Sequence, residues 1–378
     1  MTPRERLKEA RRVVVKVGTS TLTHATGRLD YGRIEHLVRE IADLANAGRE
    51  MLLVSSGATA AGMGRMGLPE KPEEMPKKQA LAAVGQGVLM HVYERLFAEY
   101  GLTAAQVLLT RENYLQHKQY MNSRNALLAL LEMGVIPVIN ENDVVAVDEY
   151  KIGDNDTLSA VVSALVDADA LVILSDIDGV YTANPATHPE ARLLPEIPEI
   201  TPEVEALAGG VGTKLGTGGM ATKIEAAKIA VSGGITMAIA PGGRDGVLRE
   251  VLSGSTCGTV FPAKEEHLKL RKGWLAFGKR LVGELQVDVG CERALARGSS
   301  LLAAGVTAVE GEFPVGSCVR VLSEGGREIA RGLVNFEAGT LQRIIGHRTE
   351  DFARLLPNEH AGTIPDEVIH RDNLVLMM

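Results

Sequence analysis

The sequence contains few cysteines and no long apolar run. Its three cysteines, Cys257, Cys291 and Cys318, are widely spaced and form no CxxC pair. This pattern disfavours a disulfide framework and a zinc site, and it indicates a reducing compartment. No apolar stretch approaches the ~20 residues that a bilayer span requires, and the charged N-terminus, MTPRERLKEARR, contains no apolar signal segment. We therefore expect a cytoplasmic protein with no membrane partner.

Aromatic residues are also scarce, at 4% of the chain, so the hydrophobic cores must consist mainly of Val, Leu, Ile and Ala. Glycine is abundant, with 41 of 378 residues, against about 7% in a typical protein. This combination suits an α/β protein whose loops bring bare backbone close to a ligand. The formal net charge of −8 disfavours a protein that binds polyanions over its whole surface. The length predicts two domains.

Residues 1–262 alternate between apolar strands and amphipathic helices. The predicted strands share β-branched, continuously apolar sequences: RVVVKVG (12–18), MLLVSS (51–56), VIPVIN (135–140), ALVILSD (170–176) and ITMAIAPG (235–242). Such strands, separated by helices, are typical of a parallel sheet that is covered on both faces. We predict an α/β domain with a mainly parallel sheet sandwiched by helices.

The pattern changes after residue 262. Between residues 281 and 360 the predicted strands are short and alternate polar with apolar residues, and glycines separate them. This indicates a small β-rich domain. Residues 263–280 are predicted to form a linker, and residues 361–378 a C-terminal tail that docks without forming a domain.

Two lysines occupy positions that could serve phosphate chemistry. Lys16 lies inside an apolar strand and is followed by Gly18, so it is either a lysine on an edge strand or a cation directed at an anion beyond the strand end. Lys223 follows the glycine-rich segment GTGGMAT, which is either a flexible loop or a phosphate cradle that opens a helix. The segment is not a P-loop, because no GxxxxGK[ST] occurs. Two such lysines from separate strand–loop–helix units indicate phosphoryl transfer.

Polar residues follow several of the predicted strands. Ser56 and Gly57 precede a helix, whose N-terminus favours anions. A denser group lies in INENDVV and KIGDNDTLSA and consists of Asn140, Asn142, Asp143, Asp154, Asn155 and Asp156. Such residues often only form turns. One of them, for which Asp156 is a candidate, can cap the next helix, and the others are available to hold an amine, a carboxyl group or a cation. Ser175 and Asp176 end another strand and either form a turn or line a nucleotide pocket.

Taken together, these motifs resemble a known family. VVVKVGTSTLT, SSGATAAG, INENDVV, KIGDNDTLSA, LSDIDGVYTANP and GTGGMATK, in this order, resemble the amino-acid kinase superfamily and, within it, the glutamate 5-kinases. The likeness extends over residues 10 to 262. The segment 281–360 resembles a PUA domain, a small pseudo-barrel that is best known in RNA-modifying enzymes.

The resemblance implies a reaction and its partners. It implies ATP-dependent phosphorylation of the side-chain carboxylate of L-glutamate to L-glutamyl 5-phosphate, the first step of proline biosynthesis. ATP would be the co-substrate, and Mg²⁺ would be held mainly through the ATP phosphates, without a metal site formed by the protein alone. It further implies proline as an inhibitor, a homo-oligomer (dimer or tetramer), and hand-over of the product to glutamyl phosphate reductase.

The resemblance also implies roles for individual residues. Lys16 and Lys223 would neutralise charge on the transferring phosphoryl group, and Asp156 would orient these lysines. Glutamate would be bound by polar residues after the second and fourth strands and in GDND, namely Ser56, Asn140, Asp143, Asp154 and Asn155. ATP would be bound by residues near three strand ends, namely Lys16, Gly18, Ser175, Asp176, Thr217, Gly218, Gly219, Met220, Ala221, Thr222 and Lys223.

Two alternatives remain at this point. A kinase of another small acid in the same superfamily, acting on aspartate, N-acetylglutamate or uridylate, fits the INEND and GDND motifs less well. An RNA-binding protein would act through the PUA-like segment. However, residues 282–360 contain eight arginines and no lysine against eleven acidic residues, whereas RNA binders generally show a basic face with stacking aromatics. RNA binding is therefore not expected as the main role.

Overall fold

The computed structural model describes residues 1–24, 26–110, 117–145, 154–185, 187–207, 219–264, 281–356 and 365–377. The chain divides into two compact units, Met1–Glu266 and His267–Met378. Most of the predicted linker lies outside the described residues. Within the described ranges, no helix is both long enough and apolar enough to cross a membrane.

The first unit is built on a seven-stranded sheet. Its strands are β1 (Arg12–Val17), β2 (Glu50–Ser55), β3 (Ala104–Leu109), β4 (Ile136–Glu141), β5 (Ala170–Ser175), β6 (Thr236–Pro241) and β7 (Thr259–Phe261). Their order in the sheet is β3-β4-β2-β1-β5-β6-β7. All neighbours are parallel except β7, which pairs antiparallel with β6 at the edge. The predicted mainly parallel α/β fold is confirmed.

Helices connect these strands. They are α1 (Pro3–Glu9), α2 (Thr19–Leu22), α3 (Tyr31–Asn46), α4 (Ala58–Met66), α5 (Met75–Ala98), α6 (His117–Glu132), α7 (Asn155–Leu165), α8 (Pro202–Leu207), α9 (Met220–Ser232) and α10 (Val247–Leu252). Helix α3 begins after Asp30, whose side chain accepts a hydrogen bond from the Arg33 backbone N–H and so caps the helix. Ile34 and Ile41 of its apolar stripe are fully buried.

The alternation of side chains along β1 determines where Lys16 lies. Val13, Val15 and Val17 belong to a core cluster together with residues of α3 and α5. Because successive side chains of a strand point to opposite faces, Lys16 points to the other face of the sheet. There it contacts Asp156 of α7. One face of the strand therefore builds the core, and the other contributes a charge.

The strand order also determines where a ligand can bind. The chain passes from β1 to β2 on one side, whereas β5 lies on the other side of β1. Ligands of open α/β sheets bind at the carboxyl ends of strands where the order reverses in this way. Val17 pairs with Ser55 and with Leu174 in the register of the sheet, so the residues that follow the three strands lie at one common edge.

The second unit has its own sheet and its own core. Its strands are β8 (Gly283–Val287), β9 (Val306–Glu310), β10 (Cys318–Leu322), β11 (Glu328–Leu333) and β12 (Leu374–Leu376), in the order β12-β11-β10-β8-β9. Helices α11 (Val289–Ala296), α12 (Ala338–Ile344) and α13 (Phe352–Leu355) accompany them. Among the described strands of this sheet, β8 and β10 alone pair in parallel. The final residues contribute the edge strand β12, so this part of the tail is a strand of the sheet.

Candidate active site

An ion triad forms the centre of the site. The Asp156 carboxylate lies between two lysines: Oδ1 is 2.6 Å from Lys16 Nζ, and Oδ2 is 3.1 Å from Lys223 Nζ. Asp156 is fully buried, and both lysines are at most 6% exposed. The three side chains come from β1, α7 and α9, so the fold brings together residues that are far apart in sequence.

The electrostatics of the triad favour an anionic ligand. Burial alone would raise the pKa of Asp156, but the ammonium groups of Lys16 and Lys223 outweigh this effect and hold that pKa below its ordinary value. Asp156 is therefore ionised, and its single negative charge is shared between two positive charges. Loss of one partner of a buried ion pair destabilises a protein by about 3–5 kcal/mol, because the remaining charge is buried without a counter-charge. Asp156 therefore compensates the cost of burying the two lysine ammonium groups.

Backbone and hydroxyl groups complete this part of the site. Gly219 is the N-cap of α9, whose first turn contains Met220, Ala221 and Thr222. The Thr222 hydroxyl lies 2.9 Å from Asp156 Oδ2 and 2.8 Å from the Gly219 carbonyl oxygen. The first-turn N–H groups of a helix have no partners within the helix and attract anions. Gly18 lies beside Lys16, because a Cβ built on Gly18 would be 3.6 Å from Lys16 Nζ.

The structure corrects the predicted cap of α7. The N-cap is Asp154, whose Oδ1 accepts a hydrogen bond of 3.0 Å from the Thr157 backbone N–H, and Asp156 lies inside the first turn. Asp154 Oδ2 is buried and receives no hydrogen bond from the described residues. Burial, and then the charge of Asp156, raise the pKa of Asp154. The capping geometry leaves the Asp156 side chain available to the lysines.

A chain of amide and hydroxyl groups joins three of the predicted glutamate-binding residues. Asn155 Nδ2 donates to Ser56 Oγ and to Asn140 Oδ1, both at 2.9 Å. Asn140 Nδ2 donates in turn to Gln86 Oε1 of α5 at 3.0 Å. Asn140 is 4% exposed and Gln86 is 8% exposed. Asn140 therefore fixes the orientation of Asn155, which in turn donates to Ser56.

A buried tyrosine supports the strand that precedes Ser56. The Tyr93 hydroxyl lies 2.8 Å from Ser55 Oγ, which itself donates to the Ser56 carbonyl oxygen. Burial raises the pKa of Tyr93 far above its ordinary value, so the phenol stays neutral. Because the Ser55 hydroxyl donates to the Ser56 carbonyl oxygen, the Tyr93 hydroxyl donates the hydrogen bond to Ser55 Oγ. Helix α5 thus contacts the end of β2 through Tyr93 and the end of β4 through Gln86.

Two glycines allow α4 and α5 to pack closely. A Cβ on Gly85 would lie 1.7 Å from the Ala58 carbonyl oxygen, and a Cβ on Gly62 would lie 2.0 Å from the Leu81 carbonyl oxygen. Gly57, which precedes α4, has a φ of +98°, a left-handed conformation that glycine adopts without strain. These contacts hold the first turn of α4 against α5, next to Ser56.

A cleft of about 450 Å³ opens beside this network. All five predicted glutamate-binding residues line it, namely Ser56, Asn140, Asp143, Asp154 and Asn155. Residues of the first turns of α4 and α5 also line it, and they include Ala58 and Lys78. A volume of this size is within the range of small-molecule sites.

The predicted nucleotide-binding residues lie at the neighbouring strand end. Ser175 and Asp176 follow one another at the carboxyl end of β5, and Ser175 Oγ donates to Asp176 Oδ1 at 3.1 Å. The Ser175 carbonyl oxygen accepts from Gly242 N–H, which follows β6. Thr217 and Gly218 lie outside the described residues. Within the described ranges, no group of three or more His, Cys, Asp or Glu side chains could hold a metal ion.

Sequence reasoning missed residues that act on this site from α5. Gln86 and Lys78 lie in α5, to which the sequence analysis assigns no site residue. A polar Gln on the buried stripe of an amphipathic helix was the one available signal for Gln86. No sequence pattern distinguished Lys78 from its neighbour Lys77.

Comparison with known proteins gives two family matches. The profile of the Amino acid kinase family matches residues 11–241, and that of the PUA domain matches residues 283–356. The first match contains every candidate residue named above, whereas the second covers most of the second unit.

Relatives of high identity extend over the whole chain. A glutamate 5-kinase of Moorella thermoacetica is 53% identical, with 100% of both chains covered. One from Carboxydothermus hydrogenoformans is 55% identical over 99% of this chain and 100% of its own. One from Caldanaerobacter subterraneus subsp. tengcongensis is 50% identical over 97% of this chain and 98% of its own.

Proposed function

The chain belongs to the amino acid kinase family, and we propose that it transfers the γ-phosphoryl group of ATP to the side-chain carboxylate of L-glutamate. The products are ADP and L-glutamyl 5-phosphate, and the step opens proline biosynthesis. The observation that carries the proposal is the buried Lys16–Asp156–Lys223 triad, whose Asp156 directly follows the cleft-lining residues Asp154 and Asn155. The glutamate 5-kinase relatives support the choice of substrate.

The reaction requires no general base. A glutamate side-chain carboxyl group has an ordinary pKa near 4.3, so it is already an anionic nucleophile at neutral pH. One carboxylate oxygen forms a bond to the γ-phosphorus, and the bond between that phosphorus and the β–γ bridging oxygen breaks. The electron pair of the broken bond stays with ADP. Catalysis therefore consists of holding two anions in line against their repulsion.

Lys16 and Lys223 counter this repulsion in the proposed mechanism. Their ammonium groups are desolvated and already oriented by Asp156, so they stabilise developing charge on the phosphoryl oxygens without reorganisation. We assign them this catalytic role, with Asp156 as the residue that positions both. Thr222 assists by contacting the second carboxylate oxygen of Asp156.

In this proposal, ATP lies across the carboxyl ends of β1 and β5 and the N-terminus of α9. The phosphates are held by backbone N–H groups at Gly18 and in the first turn of α9 (219–222), and Ser175 and Asp176 contact the remaining part of the nucleotide. Thr217 and Gly218, which lie outside the described residues, remain predicted ATP contacts. Mg²⁺, bound to the phosphates of ATP, supplies further neutralisation of their charge. The two lysines and the N-terminus of α9 fit such a polyanionic ligand.

Glutamate occupies the cleft in this proposal. Asp143 and Asp154 attract the ammonium group of glutamate. Asn155 and Ser56 form hydrogen bonds with its polar groups. Asn140 acts through Asn155, because its side chain is bonded to Asn155 and Gln86. In this proposal the side-chain carboxylate of glutamate faces the ammonium groups of Lys16 and Lys223.

An activity panel tests the proposed function. Purified protein with Mg-ATP should release ADP when L-glutamate is added, whereas aspartate, N-acetylglutamate and uridylate should give little ADP. Turnover of aspartate equal to that of glutamate would contradict the assignment. Acyl phosphates of glutamate cyclise through the free amine, so release of inorganic phosphate is expected alongside ADP.

Several finer expectations accompany this function. We propose that proline inhibits by competing with glutamate, that the protein is a cytoplasmic dimer or tetramer, and that the labile product passes to glutamyl phosphate reductase. Competitive inhibition is expected because proline and glutamate share an α-amino acid group. Inhibition by proline that excess glutamate does not relieve would exclude this competition.

A further inference from the structure

The cleft contains cations that the proposed mechanism does not use. Its described wall includes three acids, Glu141, Asp143 and Asp154, and two lysines, Lys71 and Lys78. Lys71 is exposed on the segment between α4 and α5, whereas Lys78 is partly buried in the first turns of α5. Within the described ranges, Lys78 forms no ion pair.

Lys78 belongs to the face of α5 that contacts the active site. Met75, Lys78 and Gln79 line the cleft, Gln86 bonds to Asn140, and Tyr93 bonds to Ser55. Residues seven or eight positions apart lie on one face of a helix, and eight residues correspond to about 12 Å along its axis. Lys78 is therefore held at the cleft, at a distance from the Asn140 network.

Its neighbour Lys77 differs in each of these respects. Lys77 is exposed, its ammonium group is 2.8 Å from Glu74 Oε1, and it does not line the cleft. The two lysines share side-chain chemistry and a helical turn, so they form a matched pair for experiment.

The charges of the substrate must be matched by the charges of the cleft. L-Glutamate has two carboxylates and one ammonium group. In the proposed function, which this inference presupposes, the side-chain carboxylate faces Lys16 and Lys223, and the ammonium group faces Asp143 and Asp154. The α-carboxylate of glutamate then has no assigned partner. Because it lies close to the ammonium group and hence to the acids, it requires a cation that offsets the repulsion between like charges.

We propose that Lys78 is the residue that recognises the α-carboxylate of the substrate. It lines the same cleft as the acids but belongs to a different element, α5. A charge-assisted hydrogen bond from its ammonium group to a carboxylate selects amino acids with a free α-carboxylate over those in which this group is neutral. Lys78 thereby determines specificity and takes no part in phosphoryl transfer.

The test compares two substrates that differ only at the α-carboxyl group. L-Isoglutamine keeps the side-chain carboxylate and the amine but has an α-carboxamide. Initial rates of ADP formation should give the wild-type protein a clear preference for L-glutamate. Lys78→Met should raise the KM for L-glutamate about 10- to 100-fold, with kcat changed less than about threefold and with kcat/KM for L-isoglutamine nearly unchanged.

Control variants separate recognition from structure. Lys77→Met should leave both substrates unaffected, and Lys78→Arg should restore part of the glutamate preference. A glutamate KM in Lys78→Met within about twofold of wild type, or an equal loss on both substrates, would overturn the proposal. Absence of glutamate-dependent ADP release by the wild-type protein would instead overturn the proposed function, so the two failures are distinguishable.

Discussion

At the scale of single residues, the two lysines of the triad carry the largest expected effects on rate. Lys16→Ala or Lys223→Ala should lower kcat at least ~100-fold, because each removes a preorganised charge from the transferring phosphoryl group. Steady-state kinetics with saturating glutamate and ATP measure this. Thermal melting should show that each variant is folded.

Lys228 provides the control on the same helix. It lies one turn and a half beyond Lys223 in α9, but its ammonium group pairs with Glu225 at 2.7 Å and Glu205 at 3.0 Å. Lys228→Ala should keep near-normal kcat. If Lys16→Ala or Lys223→Ala behaved like Lys228→Ala, the corresponding lysine would serve stability alone.

Asp154 offers a prediction on pH. Its pKa in the folded protein is raised, first by burial and then by Asp156, so the folded state is favoured when Asp154 is protonated. This contribution to stability is present below the ordinary carboxyl pKa and is lost as pH rises through the raised pKa. Asp154→Asn should therefore be more stable than wild type at about pH 8, with the difference shrinking toward about pH 5.

Urea unfolding at both pH values, without ligand, measures this difference in the free energy of unfolding. The same variant should bind glutamate more weakly, because the carboxylate that attracts its ammonium group is replaced by an amide. An Asp154→Asn protein whose stability relative to wild type did not depend on pH would show that Asp154 titrates normally.

At the scale of elements, the contact between α4 and α5 determines the shape of the cleft. Gly85→Ala would place a methyl group 1.7 Å from the Ala58 carbonyl oxygen, so the two helices must separate. We expect a destabilisation of about 1–3 kcal/mol and an increase in glutamate KM, since Ala58 and Lys78 line the cleft from these helices. Chemical denaturation and glutamate titrations of the rate measure the two effects.

Gly87 is the matched control in α5. A Cβ on Gly87 would meet no atom within 4 Å, and alanine is the better helix former. Gly87→Ala should stabilise the protein by about 0.5–1 kcal/mol and leave KM unchanged. If both alanine variants behaved alike, close packing at Gly85 would not control the site.

At the scale of the whole molecule, the first unit contains all the residues proposed for catalysis, and the second unit has its own hydrophobic cluster. Separate units with their own cores usually fold independently. A chain ending at Glu266 should therefore retain ADP release that depends on glutamate. Rates measured beside those of the full chain, with circular dichroism to verify folding, test this.

A folded but inactive first unit would show that the second unit contributes to catalysis, directly or by fixing an oligomer. Retained activity with altered oligomeric state or altered response to proline would instead assign the PUA domain a role outside the chemistry.

Much of this organisation followed from local sequence patterns. Five apolar β-branched segments predicted five strands of the parallel sheet, because the hydrophobic pattern of a strand depends on neighbouring residues only. The presence of Lys16 in an apolar strand indicated a buried charge that needed a partner. The sequence by itself therefore determined the fold class and identified the polar and charged residues, such as Lys16, that are candidates for the site.

The tertiary structure decided which of these residues meet. Asp156 pairs with Lys16 and Lys223 because β1, α7 and α9 come together in space, and Asp154 caps α7 in place of Asp156 because of the path of the backbone into the helix. Gln86 and Lys78 reach the site from α5 because two glycines let that helix approach α4. Such contacts depend on strand order, register and helix packing, which join residues far apart in the chain and leave no periodic pattern in the sequence.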